Sequence, residues 1–154
     1  MNVTRAWLLP ISVDRQLAVG IHFMATLLWQ PPCWHLAGMP VFSTGWVAWP
    51  QGLLPLFDLR LLLGETHALA AEHVVVLRYL DSSQRLLFAG LRVMHRPSLI
   101  TVSDDQVCQL PDDHGLWRQI APSCFRAAQS VVPIIDPSRL FNLNYAELAA
   151  LSAG

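Results

Sequence analysis

Residues 40 to 59 read Pro40-Val41-Phe42-Ser43-Thr44-Gly45-Trp46-Val47-Ala48-Trp49-Pro50-Gln51-Gly52-Leu53-Leu54-Pro55-Leu56-Phe57-Asp58-Leu59. Apolar and aromatic residues run up to Pro50-Gln51-Gly52 and away from it. That is a hairpin signal, with strands over 45–49 and 53–57. The unbroken run Leu53-Leu54-Pro55-Leu56-Phe57 fits a strand buried on both faces. Pro55 then belongs at an edge or bulge, because it donates no ladder hydrogen bond. Asp58 is placed to cap a short helical turn over 59–63, and Gly64 to stop it.

Upstream of the hairpin, two strands are expected over 7–13 and 17–21, joined by the turn Asp14-Arg15-Gln16. Phe23, Met24, Leu27 and Leu28 share one helical face, so residues 22–29 predict a short helix. Gln30-Pro31-Pro32 ends it, and residues 33–40 read as loop. Downstream, Glu65 to Glu72 is a polar, alanine-containing linker, the most mobile connection expected. Strands follow over 74–80 and 85–93 around the turn Asp81-Ser82-Ser83-Gln84, and a further one over 99–102. Residues 110–115 read as loop, and 117–122 and 127–135 as strands. Asp136-Pro137 opens a helical turn reaching Phe141, and Asn144 with Glu147 forms a capping-box pattern. Short strands separated by turn signals about every 8–12 residues predict an all-β fold of small barrels or a sandwich.

With 154 residues, one domain or two small subdomains sharing a core is expected. Apolar residues make up 53% and charged residues only 14%, which leaves either a large core or apolar surface kept for docking. The net charge of −1 gives no broad basic surface for nucleic acid. All ten basic residues are arginine; interface chemistry and a GC-rich genome each produce that bias. Cys33, Cys108 and Cys124 are an odd, scattered set, which argues against a disulfide framework and for a reducing cytoplasm. The longest greasy run, 17–29, is too short to span a membrane, and the apolar start is too interrupted for a signal peptide.

Catalytic and metal-binding patterns are weak. Cys33 and His35 are close, and His67 and His73 lie six apart, but no Cys-x-x-Cys or His-Glu-x-x-His spacing occurs. No nucleophile elbow or glycine-rich phosphate loop is present. The acidic pairs Asp104-Asp105 and Asp112-Asp113 fall in expected loops, where neighbours in sequence do not oppose each other across a cleft. The chain is therefore read as a non-enzyme with no metal and no cofactor. Arg92-Val-Met-His-Arg96 is the one polar motif with ligand-binding character. It resembles the arginines of PilZ-type cyclic di-GMP receptors, although the companion Asp-x-Ser-x-x-Gly is missing downstream. On a continuous strand, Arg92 and Arg96 share a face and could grip one anionic ligand. The plainer alternative is a solvated strand edge.

The order and spacing of these pieces resemble the CheW-like domains, adaptor modules of bacterial chemosensory arrays. Pro40, Gly45, Pro55 and Asp58-Leu59 fall at that family's spacing. Residues 16–28, 74–77 and 130–141 resemble its other segments in the same order, and the likeness spans about residues 6–142. The resemblance implies one CheW-like domain over 1–154: two five-stranded, SH3-like β-barrels sharing an apolar core, with short helices at their edges. It implies a cytoplasmic, non-enzymatic adaptor at membrane-associated arrays, coupling a chemoreceptor to a CheA-like histidine kinase. The family's Asn-Leu-Arg-Gly is replaced here by Ala48-Trp49-Pro50-Gln51, and its Val-Asp by Gly90-Leu91. Trp46, Trp49, Pro50 and Gln51 are thus the candidate partner-binding residues. The alternative reading is a sensor on the same fold that binds an anionic nucleotide such as cyclic di-GMP through Arg92 and Arg96. Trp29, Trp34 and Trp117 are further docking candidates, since tryptophan is enriched at binding hot spots. Trp49 is expected at the surface, and Trp7 and Phe88 in the core.

Overall fold

Eleven strands and three short helices make up the regular structure of this computed structural model, which describes residues 2–34, 43–64, 73–112, 115–128 and 130–143. A five-stranded sheet holds β1 (Val3–Pro10), β2 (Gln16–Gly20), β9 (Ser98–Ser103), β10 (Ser123–Ala127) and β11 (Ser130–Ile134), in the order β10-β11-β2-β1-β9. A six-stranded sheet holds β3 (Met24–Trp29), β4 (Cys33–Trp34), β5 (Ser43–Trp49), β6 (Gly52–Phe57), β7 (His73–Leu80) and β8 (Leu86–Val93), in the order β3-β7-β8-β6-β5-β4. Neighbours are antiparallel except β11 with β2 and β6 with β8. Helices α1 (Leu59–Leu62) and α2 (Leu116–Ile120) lie between strands, and α3 (Pro137–Phe141) follows β11.

Both sheets curl, and each keeps an apolar interior. Ala6, Ala18, Val102, Phe125 and Val132 fill the first; Val47, Leu54, Leu56, Val74 and Val76 fill the second. A third cluster joins the two: Leu9, Leu17 and Val19 from the first sheet meet Val75, Leu77, Leu91 and Val93 from the second, with α1, α2 and α3 packed among them. Strand β7 explains the join. Its Val74 and Val76 face the second interior, while Val75 and Leu77 face the shared core. Alternate side chains of a strand point to opposite faces, so only a continuous apolar run can serve two cores at once. Gly90 of β8 sits at the tightest place in the second interior. A Cβ there would lie 2.9 Å from methyls of both Val47 and Val74.

Several expectations are corrected. Residues 22–29 are not a helix: a 3-10 turn (Ile21–Phe23) leads into β3, which pairs with β7 along the valine run. Long-range ladder pairing outweighs a short helical spacing that has no cap to start it. Residues 117–122 are not a strand, because α2 places Leu116, Trp117 and Ile120 on one buried face. The expected strand 127–135 starts later, at Ser130, and pairs with β10 across a turn where Ala128 has φ +54°. The loop expected from residue 33 opens with β4, which makes the second sheet six-stranded rather than five. Strand β6 is not buried on both faces: Leu54 and Leu56 are buried, but Leu53 is 60% exposed. Nor is β6 an edge strand, although Pro55 comes one residue before its pairing with β8 begins at Leu56. Trp7 and Phe88 are half-buried, packed against the shared core and the second interior respectively. The Glu65 to Glu72 linker, His35 and the Asn144–Glu147 pattern lie outside the described residues.

Candidate protein-docking site

The hairpin of residues 45–57 forms as its sequence requires. Pairing runs from Gly45 with Leu56 to Trp49 with Gly52, so Pro50 and Gln51 make a two-residue loop. Gly52 holds φ +138°, a backbone state open to glycine and strained for other residues. Gly45, φ +129°, sits where the register shifts after Ser43, as a bulge. At the far end Asp58 accepts the Arg60 backbone N–H at 3.0 Å and caps α1. Its carboxylate also takes two guanidinium bonds from Arg60, Nε at 3.0 Å and Nη2 at 2.7 Å, with both side chains almost fully buried. The Asp58-Leu59 pair is therefore a structural pin between the second sheet and the shared core.

Register decides what the hairpin shows to solvent. Val47 and its partner Leu54 point inward. Trp46, paired with Pro55, and Ala48, paired with Leu53, fall on the opposite face. Trp34 of β4 pairs with Trp46 on its other side. The outer face of β4, β5 and β6 thus carries a row Trp34–Trp46–Pro55 with Leu53 beside it; Trp34 is 49% exposed. Cross-strand neighbours on one face stand roughly 5 Å apart, so this row is one continuous apolar stripe.

Trp49 is three residues from Trp46 and faces the other way. It is half-buried rather than at the surface, with its ring 5.0 Å from that of Phe88, against the second interior. Trp49, Pro50 and Gln51 border a cleft of about 340 Å³ with Thr26, Arg78 and Phe88. Arg78 is held there by its Nη1 donating to the His22 carbonyl at 2.7 Å. The four candidate residues therefore split: three line the mouth of the second interior, and Trp46 stands on the outer stripe. Trp117, a docking candidate by composition, is buried in the shared core.

The arginine motif crosses the end of a strand. Arg92 lies in β8 opposite Val74, whereas β8 stops at Val93 and Arg96 lies in the bend beyond. The shared-face spacing of a continuous strand does not apply. Arg96 instead stands over the Trp29 ring, 5.8 Å from its centroid, and Trp29 stacks on His73 at 4.0 Å. Beside this stack, Trp7, Met24, Leu27, Arg96 and Pro97 line an apolar cleft of about 310 Å³ between β1 and β3. Nothing in the hydrophobic spacing marks that cleft, because its walls come from three distant segments. Among the described residues no three His, Cys, Asp or Glu side chains gather as a metal-holding group. Asp104 and Asp105 open a 3-10 turn (Asp104–Gln106). Asp112 makes an exposed contact with Arg118 at 3.9 Å. No described helix is long and apolar enough to cross a membrane.

No family model matches the sequence, and no curated protein matches it. Solved structures do. The scaffolding protein TtCheW from Thermoanaerobacter tengcongensis superposes with a TM-score of 0.73 over 93% of this chain and 95% of its own, at 13% identity. At that identity the likeness carries the fold, and it agrees with two curled sheets joined by one core. The chain has the CheW-like fold.

Proposed function

We propose that this chain is a non-enzymatic adaptor of a chemosensory system, coupling a chemoreceptor to a CheA-like histidine kinase through protein–protein contacts. It acts as one CheW-like domain over residues 1–154, on the cytoplasmic side of membrane-associated arrays. The observation that carries this reading is the outer stripe of Trp34, Trp46, Pro55 and Leu53 on the second sheet. Two tryptophans paired on adjacent strands, Trp34 exposed and Trp46 half-buried, with Leu53 exposed beside them, leave apolar surface in water in the free protein and are typical anchors of interfaces. The architectural likeness to a scaffolding protein supports the same reading. The mouth residues Trp49, Pro50 and Gln51 form a second contact, continuous with the stripe through the hairpin. The nucleotide alternative, cyclic di-GMP held by Arg92 and Arg96, draws no comparable support, since the two side chains stand on different backbone elements.

The test is binding of the cognate receptor's cytoplasmic hairpin and of the kinase's regulatory domain to wild type and to a Trp34→Ala/Trp46→Ala variant. Loss of two interface tryptophans lowers affinity by at least about tenfold. The melting temperature stays close to wild type, because this face carries no core. Unchanged affinity for both partners in a folded variant overturns the stripe as the docking surface. Absence of any binding by the wild type overturns the adaptor reading.

A further inference from the structure

The first sheet has a seam, and two cysteines face each other across it. Its edge strands are β9 and β10. After β9 the chain turns through the 3-10 turn (Asp104–Gln106) and returns along the outer edge of β10. Gln106 Nε2 donates to the Arg126 carbonyl at 3.3 Å, Val107 bridges Phe125, and the Cys108 N–H donates to the Cys124 carbonyl at 3.2 Å. Among the described residues, these few bonds cover the outer edge of β10. At the end of the seam the two sulfurs lie 3.3 Å apart, both as free thiols, and the Cys124 thiol donates to the Cys108 carbonyl at 2.8 Å.

We propose that Cys108 and Cys124 are a reversible oxidation site, whose disulfide latches the seam of the first sheet. The sulfurs need to close from 3.3 Å to about 2.05 Å, a side-chain adjustment between residues already paired on adjacent backbone. The chemistry is thiol–disulfide exchange with a small-molecule disulfide such as glutathione disulfide. Cys108 is half-buried and Cys124 fully buried, so Cys108 is the thiol that meets the oxidant. Its thiolate attacks one glutathione sulfur and expels the other as glutathione thiolate. Cys124 then loses its proton to solvent base and attacks the Cys108 sulfur, expelling the second glutathione. Two protein thiols are oxidised by two electrons, and one glutathione disulfide is reduced to two thiols. Burial, with the neighbouring Cys108 thiol, pushes the Cys124 thiol up to about 11, which makes its attack the slow step and faster in mild alkali. Cys33 is an internal control: it lies on the other sheet, its thiol donating to the Pro31 carbonyl.

The full chain, kept native, is incubated with glutathione disulfide, then denatured, alkylated and analysed by intact mass and non-reducing peptide mapping. The expected product carries one alkyl group where the reduced chain carries three, is about 2 Da lighter once those groups are subtracted, and yields a Cys108–Cys124 linked peptide. Its melting temperature rises by roughly 5 °C, because the link closes a loop of the unfolded chain. Cys33→Ser retains the Cys108–Cys124 link and Cys108→Ser loses it. Three alkylatable thiols, a stable glutathione adduct, a link involving Cys33, or a linked product that melts no higher would each overturn the proposal.

Discussion

The two sheets solve the same closure problem by different means. In the second, the edge strands β3 and β4 are consecutive in the chain, joined by Gln30, Pro31 and Pro32, so the covalent backbone itself spans the gap. A bond from the Ala48 N–H to the Pro32 carbonyl, 3.0 Å, fastens that connection to β5. In the first, the gap between β9 and β10 is covered by one short return of chain and a few hydrogen bonds. Closure by chain continuity leaves the outer face of the second sheet free to carry Trp34, Trp46 and Leu53. Closure by a loop gives the first sheet a place that can open and be oxidised. The lesson is that sheets of similar size can divide docking and regulation between them according to how their edges are sealed.

The largest predicted effect tests what the sheets share. Asp58→Ala leaves the buried Arg60 without its carboxylate and should cost about 3–5 kcal/mol by chemical denaturation. Protection should fall in both sheets together, since α1 packs in the common core. A loss confined to one sheet would break the picture of a single join. Next, Gly90→Ala drives a methyl against Val47 and Val74 and should cost about 1–3 kcal/mol. Hydrogen exchange should quicken in β5 to β8 before it does in β1 and β2. Equal quickening everywhere would mean that the second interior is not a separate unit.

Weaker effects test the seam and the outer face. Gln106→Ala removes a seam bond and one half of the capping box, and should cost about 1 kcal/mol. Exchange should rise at Cys108 and its neighbours while the second sheet is unmoved. Trp34→Ser should change stability by less than about 0.5 kcal/mol while reducing surface hydrophobicity, read by dye binding. A large loss would mean that Trp34 is a core residue.

The smallest effect concerns the β7–β8 turn. Backbone and side-chain hydrogen bonds from Arg85, with one from the Ser83 N–H, hold the Asp81 carboxyl below its usual value of 3.8. A folded-state value below the unfolded one adds stability above the ordinary carboxylate range. That stability is lost as pH falls through the folded-state value. Asp81→Asn should therefore flatten the acid limb of the stability profile slightly, and an unchanged limb would remove the turn from the account.

The legible parts of this fold are those whose signal is local. Pro50-Gln51-Gly52 announced its hairpin. Asp58 and Gly64 bounded α1, where Gly64 indeed takes φ +83°. Asp136-Pro137 opened α3, with Asp136 accepting the Ser138 N–H at 2.9 Å. Short apolar runs without caps failed in both directions: 22–29 became strand because β7 was there to pair with it, and 117–122 became helix because the shared core needed one face. The opposite facing of Trp46 and Trp49 was available from the two-residue period of a strand. Which of those faces was inside was not.

The sequence by itself determined an all-β chain of short strands, because turn chemistry and apolar alternation act over a few residues; the CheW-like arrangement was what its family resemblance implied. The tertiary structure alone decided that β4 extends the second sheet, that Trp34 aligns with Trp46, that Arg96 stacks over Trp29, and that Cys108 meets Cys124. Each of these joins segments separated by many residues. Their meeting is set by strand register and by burial of one common core, not by the residues' own preferences.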